Sequence, residues 1–150
     1  YTPVNGECIP TGEIRPVKGS PMDFTDMRPI REGLAREDTD EQLRNGLGYD
    51  HNYVLDHAQG SIEKAAEVLC DESGRQLTVW TDKPGVQFYT GNHLDDIPGK
   101  GGAVYGKRSG FCLETQYFPN SMKKKHFPSP VLRKGERYHF TTIYQFSRVE

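Results

Sequence analysis

No stretch of about 18 consecutive apolar residues occurs in the chain, so no transmembrane helix is expected. Cysteine is scarce: Cys8, Cys70 and Cys112 are odd in number and far apart, which argues against both a disulfide framework and a paired-cysteine metal site. Reduced thiols in a cytoplasmic protein are the expectation. An excess of one charge is also missing. With 19 basic against 21 acidic residues and a net charge of -2, the chain offers no electrostatic footprint for nucleic acid or an anionic membrane. The expected partner is a small, neutral molecule. Apolar residues make up only 34%, with a mean hydropathy of -0.76, which suits a loop-rich β protein better than a helical bundle. Residues 1–12 are polar and turn-rich, unlike a charged segment followed by an apolar one, so they do not read as a signal peptide.

What the chain does contain is 16 glycines, 10 prolines and 11% aromatics in the length of one ordinary domain. Prolines at 3, 10, 16 and 21 forbid a helix over residues 1–23 and predict extended pieces joined by turns. The one predicted helix covers 38–43, where Thr39 and Gln42 have the spacing of a capping box. Elsewhere strand signals dominate, at 53–55, 64–70, 76–81, 86–90, 111–116 and 138–147. Residues 71–74 have the composition of a hairpin turn, and Lys83-Pro84-Gly85 that of a tight turn. Many short strands at this spacing predict an all-β fold, an antiparallel β-sandwich or barrel. The run Lys123 to Lys125 reads as a solvated loop face.

Candidates for chemistry follow from strand alternation. In residues 111–116, Phe111 and Leu113 share one face while Cys112, Glu114 and Gln116 share the other, so a carboxylate projects from a sheet. It reads either as a solvent-facing strand residue or as a group turned into a cleft. Asp50 lies in the polar cluster Gly48-Tyr49-Asp50-His51-Asn52 just before an expected strand, as a hydrogen-bond acceptor for a ligand or as the cap of an Asx turn. His51 has no second histidine at ligand spacing and reads as a structural or surface histidine. Gln87 and Tyr89 share a face opposite Val86 and Phe88, which reads either as the polar outer face of an edge strand or as a binding surface. An amide beside an aromatic ring suits a neutral polyol, whose hydroxyls need neutral donors and acceptors and whose apolar face packs on rings. The glycine-rich stretch 91–106 lacks the spacing of a phosphate-binding loop.

Several segments in one order then resemble the aldose 1-epimerase (galactose mutarotase) family. They are Ile9-Pro10-Thr11-Gly12-Glu13-Ile14, Asp23-Phe24, Gly48-Tyr49-Asp50-His51-Asn52-Tyr53-Val54-Leu55, Ser73-Gly74-Arg75, Pro84-Gly85-Val86-Gln87-Phe88-Tyr89-Thr90-Gly91-Asn92 and Leu113-Glu114-Thr115-Gln116, closing with Phe127-Pro128 and Gly135-Glu136. The resemblance implies a large twisted β-sandwich with sugar in a groove on one sheet, of which residues 1–150 form the C-terminal part of a single domain. It implies interconversion of the α and β anomers of hexoses such as galactose and glucose, with no cofactor and no metal. Under it, Glu114 matches the catalytic base, Asp50 a carboxylate that hydrogen-bonds sugar hydroxyls, and Gln87 a sugar-contacting position. The family's acid, a histidine supported by another histidine and an arginine, belongs to segments expected upstream of Tyr1. None of His51, His57, His93, His126 or His139 matches it, so these 150 residues are expected to be inactive alone. The alternatives are a non-catalytic carbohydrate-binding module of the same fold and a hexose-6-phosphate 1-epimerase relative.

Overall fold

The computed structural model describes residues 1–57 and 60–149. Its strands form two three-stranded antiparallel sheets and one two-stranded ribbon, with two short helices at the start. The first sheet has the order β1-β4-β7, from Asp50–Val54, Gly85–Tyr89 and Cys112–Gln116. The second has the order β2-β3-β8, from Glu63–Cys70, Arg75–Thr81 and Thr142–Arg148. The ribbon pairs β5 (Ile97–Pro98) with β6 (Val104–Tyr105) inside the glycine-rich stretch. The predominance of short antiparallel strands and the turn at 71–74 are as the sequence predicts, and the chain bends at 82–84 before β4 opens at Gly85. The N-terminal segment makes only isolated bridges, Thr2 to Asn52 and Val4 to Pro10, as its prolines require. Among the described residues no helix is long and apolar enough to cross a membrane.

The core forms where one face of the first sheet meets the two helices. His51, Tyr53, Val86, Phe88, Leu113 and Thr115 share that face, because directly paired residues of antiparallel strands point the same way. Tyr49 and Phe88 lie 5.1 Å apart, and Phe24 packs edge-on at 5.2 Å from Tyr49 and 5.5 Å from Phe88. Met22 and Leu43, both fully buried, complete the cluster. The second sheet joins the first through β8, where the Tyr144 hydroxyl donates to the Leu113 carbonyl at 2.7 Å and Thr142 bonds Thr115.

Most strand ends lie within a residue of expectation, the β5–β6 ribbon was not expected, and the larger differences have physical reasons. The expected helix is α2, Glu41–Gly46, and its N-cap is Asp40 rather than Thr39. The Asp40 carboxylate accepts from the backbone N–H groups of Gln42 (3.0 Å) and Leu43 (3.1 Å), while the Thr39 hydroxyl donates to the Arg36 carbonyl. Gln42 therefore does not close a capping box; its buried amide accepts from Val4 N–H at 2.7 Å and donates to Val4 C=O at 3.1 Å, tying the N-terminal segment down. A second helix, α1 (Ile30–Leu34), was not expected: it follows Pro29, and only five residues carry its period. Strand β1 starts at Asp50, not Tyr53, because His51 occupies a core position that a polar residue type conceals. Strand β8 starts at Thr142, not Tyr138. The rings of Tyr138 and Phe140 turn aside to enclose the Lys83 ammonium together with Tyr117, at 4.6, 3.6 and 4.6 Å from the ring centres.

Candidate functional site

The first sheet has a second face, and its nine positions form a largely polar grid, with Val54 and Gly85 the exceptions. Register places Asp50, Tyr89 and Cys112 in one row, Asn52, Gln87 and Glu114 in the next, and Val54, Gly85 and Gln116 in the third. The strands come from distant parts of the chain. Antiparallel pairing thus brings Asp50, Gln87 and Glu114 to one surface.

Within the grid, side-chain amides are chained together. Gln87 Nε2 donates to Asp50 Oδ1 at 2.7 Å. Gln116 Nε2 donates to Gln87 Oε1 at 2.8 Å and to Asn52 Oδ1 at 3.1 Å. Asp50, Gln87 and Gln116 are half-buried, and Asn52 is fully buried. Gly85 makes room for this: a Cβ there would lie 2.5 Å from Asn52 Oδ1 and 3.0 Å from the Phe118 ring. The tyrosine position is also tied in, since Tyr89 stacks on His93 at 6.2 Å and its hydroxyl accepts from the His93 backbone N–H at 3.0 Å.

Glu114 stands next to Gln87 in register, and its side chain is exposed. The partial enclosure that a base needs is therefore not supplied by the described residues alone. Its neighbour on the same face is Cys112, whose thiol is pushed up by burial and then by the charge and hydrogen bonding of Glu114. Asp50 adds to that effect and also pushes up Cys8, second to burial. The three thiols are unpaired and exposed. No group of three or more His, Cys, Asp or Glu residues among those described is arranged to hold a metal ion.

The histidines occupy structural or peripheral places. His51 is fully buried on the core face, with Nδ1 accepting from the Asp50 N–H at 3.1 Å, and burial depresses it to about 4. His57 Nε2 contacts the Lys83 carbonyl at 2.6 Å and His126 Nε2 the Gly12 carbonyl at 2.7 Å. His93 is exposed beside Tyr89, and His139 is exposed. Two cavities lie elsewhere, one of about 370 Å³ bordered by Asp23, Asp26, Arg28 and Arg36, the other of about 420 Å³ bordered by Tyr117, Leu132, Arg137 and Phe140. Neither includes a residue of the polar grid.

Sequence reasoning set Gln116 on the same face as Glu114, Asn52 in the polar cluster and Gly85 in a turn, but assigned none of them a task in the site. Their roles depend on which strands are neighbours, a fact that alternation within a single strand does not carry.

Comparison with known proteins bears on the same residues. The family model described as Aldose 1-epimerase matches residues 1–145. Human galactose mutarotase is 47% identical over 150 residues, covering 98% of this chain and 41% of that protein. Aldose 1-epimerase of Escherichia coli is 35% identical over 149 residues, covering 97% of this chain and 42% of the relative. The chain thus spans well under half the length of the curated relatives it matches. Among solved structures, the GalM/aldose epimerase homologue from C. elegans superposes with a TM-score of 0.86 at 27% identity, over 100% of this chain and 43% of the other. Galactose 1-epimerase from Lactobacillus acidophilus gives 0.65 at 21% identity, covering 100% and 42%, which supports the β-sandwich fold alone.

Proposed function

This chain belongs to the aldose 1-epimerase family, and on that premise we propose that its polar sheet face is the base-bearing half of a hexose mutarotase site. The observation that carries the reading is the register that sets Glu114 beside Gln87 and Gln87 onto Asp50. Such a surface suits a sugar. A carboxylate and an amide offer acceptors and donors for vicinal hydroxyls, and the Tyr89 ring offers a plane for the apolar side of the pyranose.

In the proposed reaction Glu114 removes the proton of the C1 hydroxyl while an acid protonates the ring oxygen. The bond between C1 and the ring oxygen breaks, the free aldehyde rotates about C1–C2, and reclosure on the other face gives the opposite anomer. Protons and electrons balance within the sugar and the acid–base pair. Glu114 is exposed before substrate arrives, so the bound sugar itself would strip water from it. Asp50 and Gln87 would hold hydroxyls so that C1 lies over Glu114. The acid is assigned to residues outside these 150, which together with them would complete one domain. His51, the histidine nearest the grid in sequence, is neutral and faces the core. Unpaired thiols at Cys8, Cys70 and Cys112 fit the proposed cytoplasmic setting. The matched relatives are named as epimerases and mutarotases, which does not favour the binding-module alternative.

The test is polarimetry of α-galactose and α-glucose with the full-length protein. Loss of one acid–base group lowers the rate by about 10²–10⁴, so Glu114→Gln should reduce kcat by that factor with the fold intact. Normal turnover by Glu114→Gln would remove Glu114 from the reaction.

A further inference from the structure

We propose that Gln116 is a positioning residue that locks the amide of Gln87 in one orientation and so holds Asp50 ready to accept hydroxyl protons; this rests on the mutarotase reading above.

An amide side chain has nearly the same shape either way round, so only its neighbours decide which end faces where. An ionised Asp50 can only accept. The end of Gln87 turned toward it at 2.7 Å must be the NH2 group, and the carbonyl end must then find a donor. Gln116 supplies it, with both hydrogens of one NH2 group used, on Gln87 Oε1 and on Asn52 Oδ1.

A second observation shows that this orientation is imposed on its surroundings. Asn52 is fully buried, and its Nδ2 has no hydrogen-bond partner among the described residues. Turning Asn52 over would set that donor against the Gln116 amide nitrogen, donor facing donor. The relay therefore keeps Asn52 in the orientation that leaves its own NH2 group unpaired. Gly85 leaves the space the relay occupies, since a Cβ would collide with Asn52 Oδ1 at 2.5 Å.

The consequence is directional. With Gln87 locked, one Nε2 hydrogen goes to Asp50 and the other is free for a sugar hydroxyl, while Asp50 keeps an acceptor oxygen for a second hydroxyl. If Gln87 turned over, its carbonyl would confront the Asp50 carboxylate, and the pair would lose both affinity and order. The ionisable groups around Asp50 are Tyr89 on β4, Cys112 and Glu114 on β7, and Cys8 from the N-terminal segment, with His51 adjacent in β1.

The experiment uses the full-length protein and Gln116→Glu, which keeps the shape and replaces the donor by acceptors. Asn52 can then turn its free NH2 group inward, Gln87 turns with it, and Asp50 loses its donor. KM for galactose should rise by about tenfold, with kcat changed much less, and in nitrogen-15 NMR the Gln87 side-chain NH2 pair should lose the shift of a donor held on a carboxylate. Part of any rise comes from the added charge alone, so the measurement is repeated in a Gln87→Met background. There the rise should fall to less than half; an equal rise in both backgrounds would overturn the relay. Should Gln116→Glu not fold, Gln116→Met removes the donor without adding charge and should still raise KM several-fold at unchanged kcat, and an unchanged KM would overturn the proposal. If the wild-type protein does not speed anomer exchange, the mutarotase reading falls, whereas the Gln87 side-chain NH2 shift on Gln116→Glu still decides the relay.

Discussion

His51 shows how a polar residue can be recruited by the core. It is fully buried, edge-on to the Tyr1 ring at 6.0 Å, and its Nε2 has no partner among the described residues. Burial is the largest cause of its depression to about 4 from the ordinary 6.5; the Asp40 carboxylate opposes this only in part. The native state therefore keeps the ring neutral at a pH where the unfolded chain binds a proton. Stability from this group is fully present above pH 6.5 and is lost as pH falls toward 4, by on the order of 3 kcal/mol across that window. Denaturant unfolding of the full-length protein should thus show a drop between pH 6.5 and 4 that is shallower in His51→Gln. Parallel profiles for the two proteins would show that the ring is not held neutral.

Helix α1 is positioned by a glycine that leaves room for another residue's hydroxyl. A Cβ on Gly33 would lie 1.6 Å from the Tyr49 Oη, and Tyr49, fully buried, donates that hydroxyl to the Pro21 carbonyl at 2.8 Å. Gly33→Ala should therefore destabilise by about 1–3 kcal/mol through overpacking, although alanine is the better helix former by about 1 kcal/mol. In a Tyr49→Phe background the clash is relieved and the cost should shrink; equal costs in denaturant titrations of the two backgrounds would place the strain elsewhere. This helix also marks what could be read in advance. Strands with clean alternation, such as β4 and β7, were legible because Val86, Phe88 and Leu113 announce a core face, and so was the side of Glu114 and Gln87. Helix α1 was hidden by its length, and the start of β1 by a histidine in an apolar position. The Asn52–Gln116–Gln87–Asp50 relay was hidden because β1, β4 and β7 are far apart in the chain, and pairing among non-adjacent strands leaves no local signature.

The second sheet determines how these 150 residues behave on their own. Ala66, Val68, Leu77, Val79, Tyr144 and Phe146 share one of its faces by register. Val79 is buried there, but the cover ends toward the edge strand β8, where Tyr144 is 46% and Phe146 79% exposed. An edge strand with unpaired backbone groups and large apolar side chains is a template for further pairing. The chain spans 41% of the human relative, so the strands available to close the sandwich are fewer than in that longer protein. We predict that the 150-residue chain, produced alone, self-associates, and that Phe146→Lys lowers its association by placing a charge on the edge. Sedimentation velocity over a concentration series measures this directly. A monomer at all concentrations, or association indifferent to Phe146→Lys, would mean that β8 is not the contact. The same preparation should show little or no acceleration of anomer exchange even when monomeric, because it carries the proposed base Glu114 without a matching acid among its histidines.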